Sequence, residues 1–238
     1  MKQLISTVVV LLATQCIWAH ALWIETASTG ARGQAQQIKI LMAEAGEKPE
    51  PTEGKEWAAV KNFELYAIAP DGKQIKLSTT PQTDYYAATF TPETDGQYII
   101  LLKHENVGVL SFNPTHPFVP YMYATAQVLV GAMVEKPTVT ALPQAPPLYL
   151  TATGNKEKKE VAIAIHNTKN KTVSVEMISP DGKTARFSGK EPGNAMFNTP
   201  VQGTYQVEAM IADETPGNFK GKPYKTAYYI ATFTITVP

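Results

Sequence analysis

The chain has 238 residues, a formal net charge of +0, 44% hydrophobic and 18% charged residues. Such a composition belongs to a globular protein of one large domain or two of ordinary size. The balanced charge, with no basic patch interleaved with aromatics, argues against nucleic acid or an anionic membrane surface as a partner.

At the N-terminus, Met1-Lys2-Gln3 carries one positive charge and Leu4 to Ala13 follows as a largely apolar run. That run is too short for a membrane span and of the right length for the core of a secretory signal peptide. No second run of span length follows, so no transmembrane segment is expected in the mature chain, and its destination is the periplasm or the cell surface. Residues 1–19 are read as the signal peptide. Ala19-His20-Ala21 fits the small-x-small pattern and favours cleavage after Ala21, whereas cleavage after Ala19 would leave His20 as residue one. The lone Cys16 lies in the same segment. Thr14 and Gln15 before it are poor lipobox residues and argue against a lipid anchor. If Cys16 leaves with the leader, the mature chain has no disulfide, thiolate nucleophile or zinc finger. In a bacterial exported protein the sequon Asn170-Lys171-Thr172 reads as accidental.

The mature sequence reads as strands and turns. Strands are expected over 37–42, 63–68, 74–79, 85–91, 97–104, 108–112 and 121–133, and "WAHALWIE" leads into an earlier one. No segment keeps a helical period over three turns. Residues 44–58, "EAGEKPEPTEGKEWA", are acidic with Pro and Gly and read as an exposed loop. A proline-rich stretch, 136–147, reads as a linker between an N-terminal domain over 20–135 and a C-terminal domain over 148–238. Strands resume at 148–153, 160–166, 172–178, 184–188, 194–198, 203–212 and 226–237.

The two halves repeat one another. "FELYAIAPDGKQIKL…YYAATFTPETDGQYIILL" corresponds to "VSVEMISPDGKTARF…NAMFNTPVQGTYQVEAM". In each, an alternating strand enters a Pro-Asp-Gly-Lys turn, and Gly-x-Tyr opens a later strand. Pro70 to Tyr98 spans 28 positions and Pro180 to Tyr205 spans 25. In the turn, Pro presets φ, Asp accepts a local hydrogen bond and Gly takes positive φ. A period of roughly 110 residues is a domain duplication rather than a solenoid. The expected fold class is all-β: two tandem antiparallel β-sandwiches of immunoglobulin-like size, without the Cys–Trp–Cys core. Tyr98 and Tyr205 read as core aromatics after a turn, with a tyrosine corner as the other reading.

Catalytic signals are poor. There is no Gly-x-Ser-x-Gly elbow, phosphate-cradling glycine loop or His-Glu-x-x-His. Carboxylate pairs such as Glu44 with Glu47, or Glu50 with Glu53, read as a solvated face. Of the four histidines, His20 at a mature N-terminus would offer a metal its α-amine and ring nitrogen, a pair suited to copper or nickel. His104 reads as a solvent-facing strand end or a second ligand. His116, in "NPTHPF", reads as a turn residue or a ligand held by a rigid loop. His166 should face solvent, opposite Ile163 and Ile165. Tyr121, Tyr123, Tyr224, Tyr228 and Tyr229 pack a sheet or rim a ligand surface, and the scattered methionines fill cores.

"AHALWIE", "AEAGEKPEPTEGKEW", "YMYATAQVLVG" and "GTYQVEAM…YKTAYYIATFTITV" together resemble a bacterial periplasmic family of unknown-function domains. That family is related to the periplasmic component of nickel and cobalt uptake systems. The resemblance spans residues 20–238. It places His20, Trp23 and Glu25 on the family's N-terminal signature, Gly46 and Glu47 on its Gly-Glu loop, and implies a metal-ligand role for His20. "YATAQVLVG" lacks the family's lysine, "YYIATFTITV" has Phe in place of Leu, and 212–226 has no histidine.

The expected function is a non-enzymatic, exported binding or accessory protein for a transition-metal ion (nickel, cobalt or copper), with His20, His104 and His116 as ligands. It would present the ion to a membrane transporter component. The competing expectation is a metal-free surface or periplasmic module that binds protein or glycan.

Overall fold

The computed structural model describes residues 20–111, 113–131, 142, 145–155, 159–166, 171–189 and 194–237. The expected signal peptide with Cys16, most of the expected linker and Asn170 lie outside the described residues.

The first half forms β1 (Ala21–Thr26), β2 (Thr29–Gly30), β3 (Gln36–Ala43), β4 (Glu64–Ile68), β5 (Gln74–Leu77), β6 (Thr80–Pro81), β7 (Tyr86–Phe90), β8 (Gly96–His104) and β9 (Phe118–Val130). The second forms β10 (Tyr149–Asn155), β11 (Glu160–His166), β12 (Val173–Ile178), β13 (Thr184–Gly189), β14 (Asn194–Asn198) and β15 (Gly203–Asp213). The hairpin β16 (Gly217–Phe219) with β17 (Lys222–Tyr224), and β18 (Thr226–Val237), complete it. The fold is all-β, as its period-two patterns require. Among the described residues no helix is long and apolar enough to cross a membrane.

Three main sheets make two sandwiches. One large sheet runs β13-β12-β15-β18-β9-β8-β4-β5, with β2 added to the β9 edge. A small sheet, β1-β3-β7-β6, belongs to the first half, and another, β10-β11-β14, to the second. The large sheet is continuous because β9 and β18 pair in parallel, from Phe118 opposite Thr226 to Thr125 opposite Phe233. The tandem arrangement is therefore lateral: the two sandwiches share a sheet.

The small sheets cover opposite faces of the large one. On β9, Met122, Ala124, Ala126, Val128 and Val130 point into the first core, with Ile38, Ile40, Leu65 and Ile100. The alternate residue Tyr123 joins the second core, with Val161, Val175, Val207 and Phe233. Successive strand side chains point to opposite faces, so one strand serves both sandwiches.

This arrangement buries the edges of both small sheets against the seam, where their backbone groups need partners. The second half caps the first: Thr232 Oγ1 donates to the Leu22 carbonyl at 2.5 Å and Thr234 Oγ1 to the Ile24 carbonyl at 2.5 Å. The first half caps the second: Thr125 Oγ1 donates to the Leu150 carbonyl at 2.6 Å, and the Ala152 N–H donates to Gln127 Oε1 at 2.8 Å.

The repeated turns coincide in detail. Ala69 N–H donates to the Lys73 carbonyl and Ser179 N–H to the Lys183 carbonyl, both at 2.9 Å. Gly96 and Gly203 have φ of +127° and +128°, and a Cβ on either would strike Pro70 or Pro180 of the Pro-Asp-Gly turn. Tyr98 and Tyr205 are tyrosine corners rather than plain core aromatics. The Tyr98 hydroxyl donates to the Thr94 carbonyl at 3.2 Å, and the Tyr205 hydroxyl to the Val201 carbonyl at 2.8 Å.

Other expectations need correction. Within residues 44–58, Trp57 and Thr52 are buried. Trp57 Nε1 donates to the Glu50 carbonyl at 3.0 Å, and the Thr52 hydroxyl to the Gln82 carbonyl. Of the expected strand at 108–112, the described residues 108–111 supply a bridge from Leu110 to Phe118. Met196 is 58% exposed rather than core-filling.

Replacing Thr232 or Thr125 by Val keeps shape but leaves a buried carbonyl unpaired. Each substitution is expected to lower stability by roughly 1–3 kcal/mol, whereas Thr236→Val, at an exposed position, should stay within about 0.5 kcal/mol. Denaturant midpoints of the three variants check this.

Candidate functional site

The histidines lie in separate environments. His20 immediately precedes β1, and its Nε2 lies 3.0 Å from Glu50 Oε1, both side chains half-buried. Glu50 thus leaves the solvated face expected of it. His104 does not face solvent: it points into the first core at 1% exposure. Its Nε2 lies 3.0 Å from the Ala59 carbonyl, and its buried Nδ1 has no partner among the described residues. Burial holds the His104 pKa below the usual imidazole value. His116 is exposed in a turn closed by its N–H on the Asn113 carbonyl at 2.8 Å. His166 is also not free in solvent: it stacks on Tyr149 with centroids 4.3 Å apart and lies 2.9 Å from Thr151 Oγ1. Among the described residues, no three His, Cys, Asp or Glu side chains gather into a metal-holding group.

Of the tyrosines singled out in the sequence, Tyr121, Tyr123, Tyr224 and Tyr229 gather, whereas Tyr228 meets Phe118 with centroids 5.5 Å apart. Tyr121 and Tyr229, opposite each other in the seam, stack at 5.2 Å, and Phe219 of the β16–β17 hairpin meets Tyr121 edge-on at 6.5 Å. Tyr123 donates to Glu105 at 2.8 Å. Burial pushes the Tyr121 and Tyr229 hydroxyls up from their ordinary pKa. Because the hairpin packs over them, they serve the second core more than a free surface.

At its opposite end the seam opens. The β9–β18 pairing stops at Thr125 and Phe233, yet both strands continue, β9 to Val130 and β18 to Val237. Between them lies a groove of about 400 Å³. Leu129, Phe233, Ile235 and Val237 form an apolar floor, and Ala152, Val161, Pro200 and Val201 a wall. Gln97, Gln127, Thr199, Gln202 and the oppositely charged Lys159 and Glu160 place polar groups around it. A mostly apolar cleft with a few convergent polar groups, placed between two domains, is the usual form of a binding site. A second hollow of about 890 Å³ lies over the loops Pro51–Lys55 and Pro81–Thr83 and lacks such a floor. No motif marks the groove in the sequence, because its residues come from seven separate segments.

One further ionisable group sits on the opposite face. Glu208 of β15 lies in register with Glu176 of β12. Burial first, and the Glu176 charge second, push its carboxyl up to about 7. Arg186 Nε holds Glu176 at 2.8 Å.

No family model matches the chain and no curated protein matches it. Among solved structures it is similar to a two-domain fibronectin type III segment of chicken tenascin, with 10% identity, 90% of this chain and 97% of that chain covered and a TM-score of 0.25. It is also similar to fibronectin(III)-like modules of Clostridium thermocellum CbhA, with 13% identity, 87% and 92% covered and a TM-score of 0.24. A tetra-tandem repeat from the extending region of a large adhesion protein matches at 11% identity over 91% of this chain, with a TM-score of 0.31. This chain spans 49% of that repeat structure. These identities and scores are too low to transfer function.

Glu208 gives a pH prediction. Its folded pKa of about 7 exceeds the unfolded value of about 4.3. Its contribution is therefore fully present below about pH 4 and is lost as pH rises through 7. Glu208→Gln is expected to raise stability at pH 8 by on the order of 1–3 kcal/mol and to change little at pH 4. Urea midpoints at the two pH values check this, and the difference between the variants cancels the opposite slope from His104.

Proposed function

We propose that this chain is an exported, non-enzymatic interaction module that binds a polypeptide partner in the groove where β9 and β18 part. The observation that carries this reading is the groove itself, an apolar floor rimmed by glutamines at the junction of two sandwiches. Nothing in the motif content calls for bond chemistry. The floor supplies affinity by apolar burial, and the glutamines and Lys159 fix register through hydrogen bonds to uncharged groups. An array of synthetic peptides probed with the mature protein tests it. Uncharged peptides of alternating apolar and polar residues should bind, and Val237→Lys, which places a charge at the half-buried end of the floor, should cut their binding at least tenfold. Equal binding by wild type and Val237→Lys would remove the groove as the site.

A metal-handling reading is favoured by one observation: the His20 ring meets Glu50 through Nε2 at 3.0 Å. A carboxylate on one ring nitrogen is the arrangement that orients a metal-bound imidazole. It leaves Nδ1 and, after cleavage behind Ala19, the α-amine. This donor set fits a two-nitrogen chelate for copper, nickel or cobalt and not a closed protein cage. His104, with its ring on the Ala59 carbonyl in the core, and His116, in an exposed turn, join the ligand set only if they move toward it. Copper or nickel titration of protein that begins at His20 should show binding that His20→Ala abolishes and Glu50→Gln weakens about 10–100-fold. Absence of binding at micromolar metal, or a mature N-terminus after Ala21 by mass spectrometry, overturns this reading.

A further inference from the structure

We infer that the groove takes its partner as an added β-strand, hydrogen-bonded along the edge of β18 from Thr234 to Val237. The inference rests on the groove being the binding site and concerns the form of what fills it. Five consecutive residues of β18, Phe233 to Val237, line the groove. Side chains on one strand face alternate, so a groove that borders both parities runs along the strand's edge and not only over its face. That edge is the one β9 occupies up to Phe233. Beyond it, among the described residues, β18 keeps its ladder with β15 on the other side, through Thr236 opposite Thr204 and Val237 opposite Gly203, and has no strand on the groove side.

The opening continues an existing interface, since an inserted strand would extend the ladder that joins the two sandwiches. The facing strand already accepts such an addition. Thr29–Gly30 pair in parallel with Leu129–Val130 of β9, and Leu129 N–H donates to the Ser28 carbonyl at 2.9 Å. The sides of the opening set the partner's chemistry. On one face lie Ala152, Val161 and Val201, on the other Ser28 and the exposed Thr236 of β18. The matching occupant is a short extended segment with apolar residues at alternate positions and small polar residues between them. A free edge of four residues (Thr234–Val237) engages a core of about four residues, roughly 13 Å of strand. Main-chain bonds would supply much of the affinity and the apolar side pocket the selectivity, as in strand addition to an open sheet edge.

The test compares each binding peptide of alternating valine and threonine with copies N-methylated at single amides, using the full mature protein. Methylation at alternate amides should weaken binding at least tenfold, and methylation at the amides between them should leave it within about twofold, because an added strand turns every other N–H toward the edge. The pattern should be the same with Thr89→Ser, at an exposed position outside the groove. If binding depends on Val237 but is indifferent to methylation at every position, strand addition is wrong while the groove remains the site. If no peptide binding depends on Val237, the groove assignment fails and the inference fails with it. A concentration-dependent dimer in sedimentation, abolished by Val237→Lys, would identify a second copy of the chain as the occupant and overturn the proposal of a foreign segment.

Discussion

The structure depends on a shared strand pair that has to serve two cores at once. Parallel pairing of β9 with β18 makes one sheet from two halves, and the small sheets then cover opposite faces of it. Each small sheet ends in a strand, β1 or β10, laid across the seam with its backbone edge out of water. An unpaired buried carbonyl costs more than a single hydrogen bond returns, so the seam needs hydroxyls and amides where a core strand would otherwise carry Val or Ile. Thr125 and Gln127 on one side, and Thr232 and Thr234 on the other, are those groups. Threonine suits the place because its methyl and β-branch still pack a pleated surface while its hydroxyl reaches a carbonyl.

Opposite-face packing also explains why part of the outward side of each small sheet is covered, at Trp23 and at Tyr149. Trp23 on β1 is fully buried, with Leu41 and Ala43 beside it, and its Nε1 donates to the Ala43 carbonyl at 3.1 Å. The loop after β3 then crosses to the second half, where Gly46 N–H donates to Gln206 Oε1 at 2.5 Å. On the other side, Tyr149 and Leu142 lie over Ile68, Ile99 and Leu101 of the first half. Two sandwiches strung on a linker would leave these residues wet. Here each half supplies part of the other's cover, which couples their stability and places Glu208 and His166 where burial shifts their titration.

Much of this was legible in the sequence, and what was missed has one cause. Period-two alternation and the two Pro-Asp-Gly turns predict most strands to within a few residues, because those signals are local. The same alternation says which residues share a face and not what covers that face. His166 alternates away from Ile163 and Ile165 as expected, yet that side meets Tyr149 rather than water. His104 shares the face of Tyr98, Ile100 and Leu102, so its parity pointed inward, but its place beside Lys103 and Glu105 at a strand end read as solvent. The parallel seam left no local mark, since "YMYATAQVLVG" and "YYIATFTITV" look alike whether they pair with each other or with separate partners. Their threonines, Thr125, Thr232 and Thr234, are the one signal the sequence carries: polar residues inside otherwise apolar strands need a buried partner.

The groove follows from the same geometry. Neighbouring strands in a sheet are rotated against each other by roughly 20–25°. Beyond their shared stretch β9 stays paired with β8 on one flank and β18 with β15 on the other. The pair parts after Thr125 and Phe233, where each strand follows its own half. β2 takes up part of the gap on the β9 side, and the β18 side stays open toward the apolar wall of the second sandwich. A duplicated fold fused through one sheet thus creates, at the point where the fusion ends, a concave apolar site that neither half would possess alone.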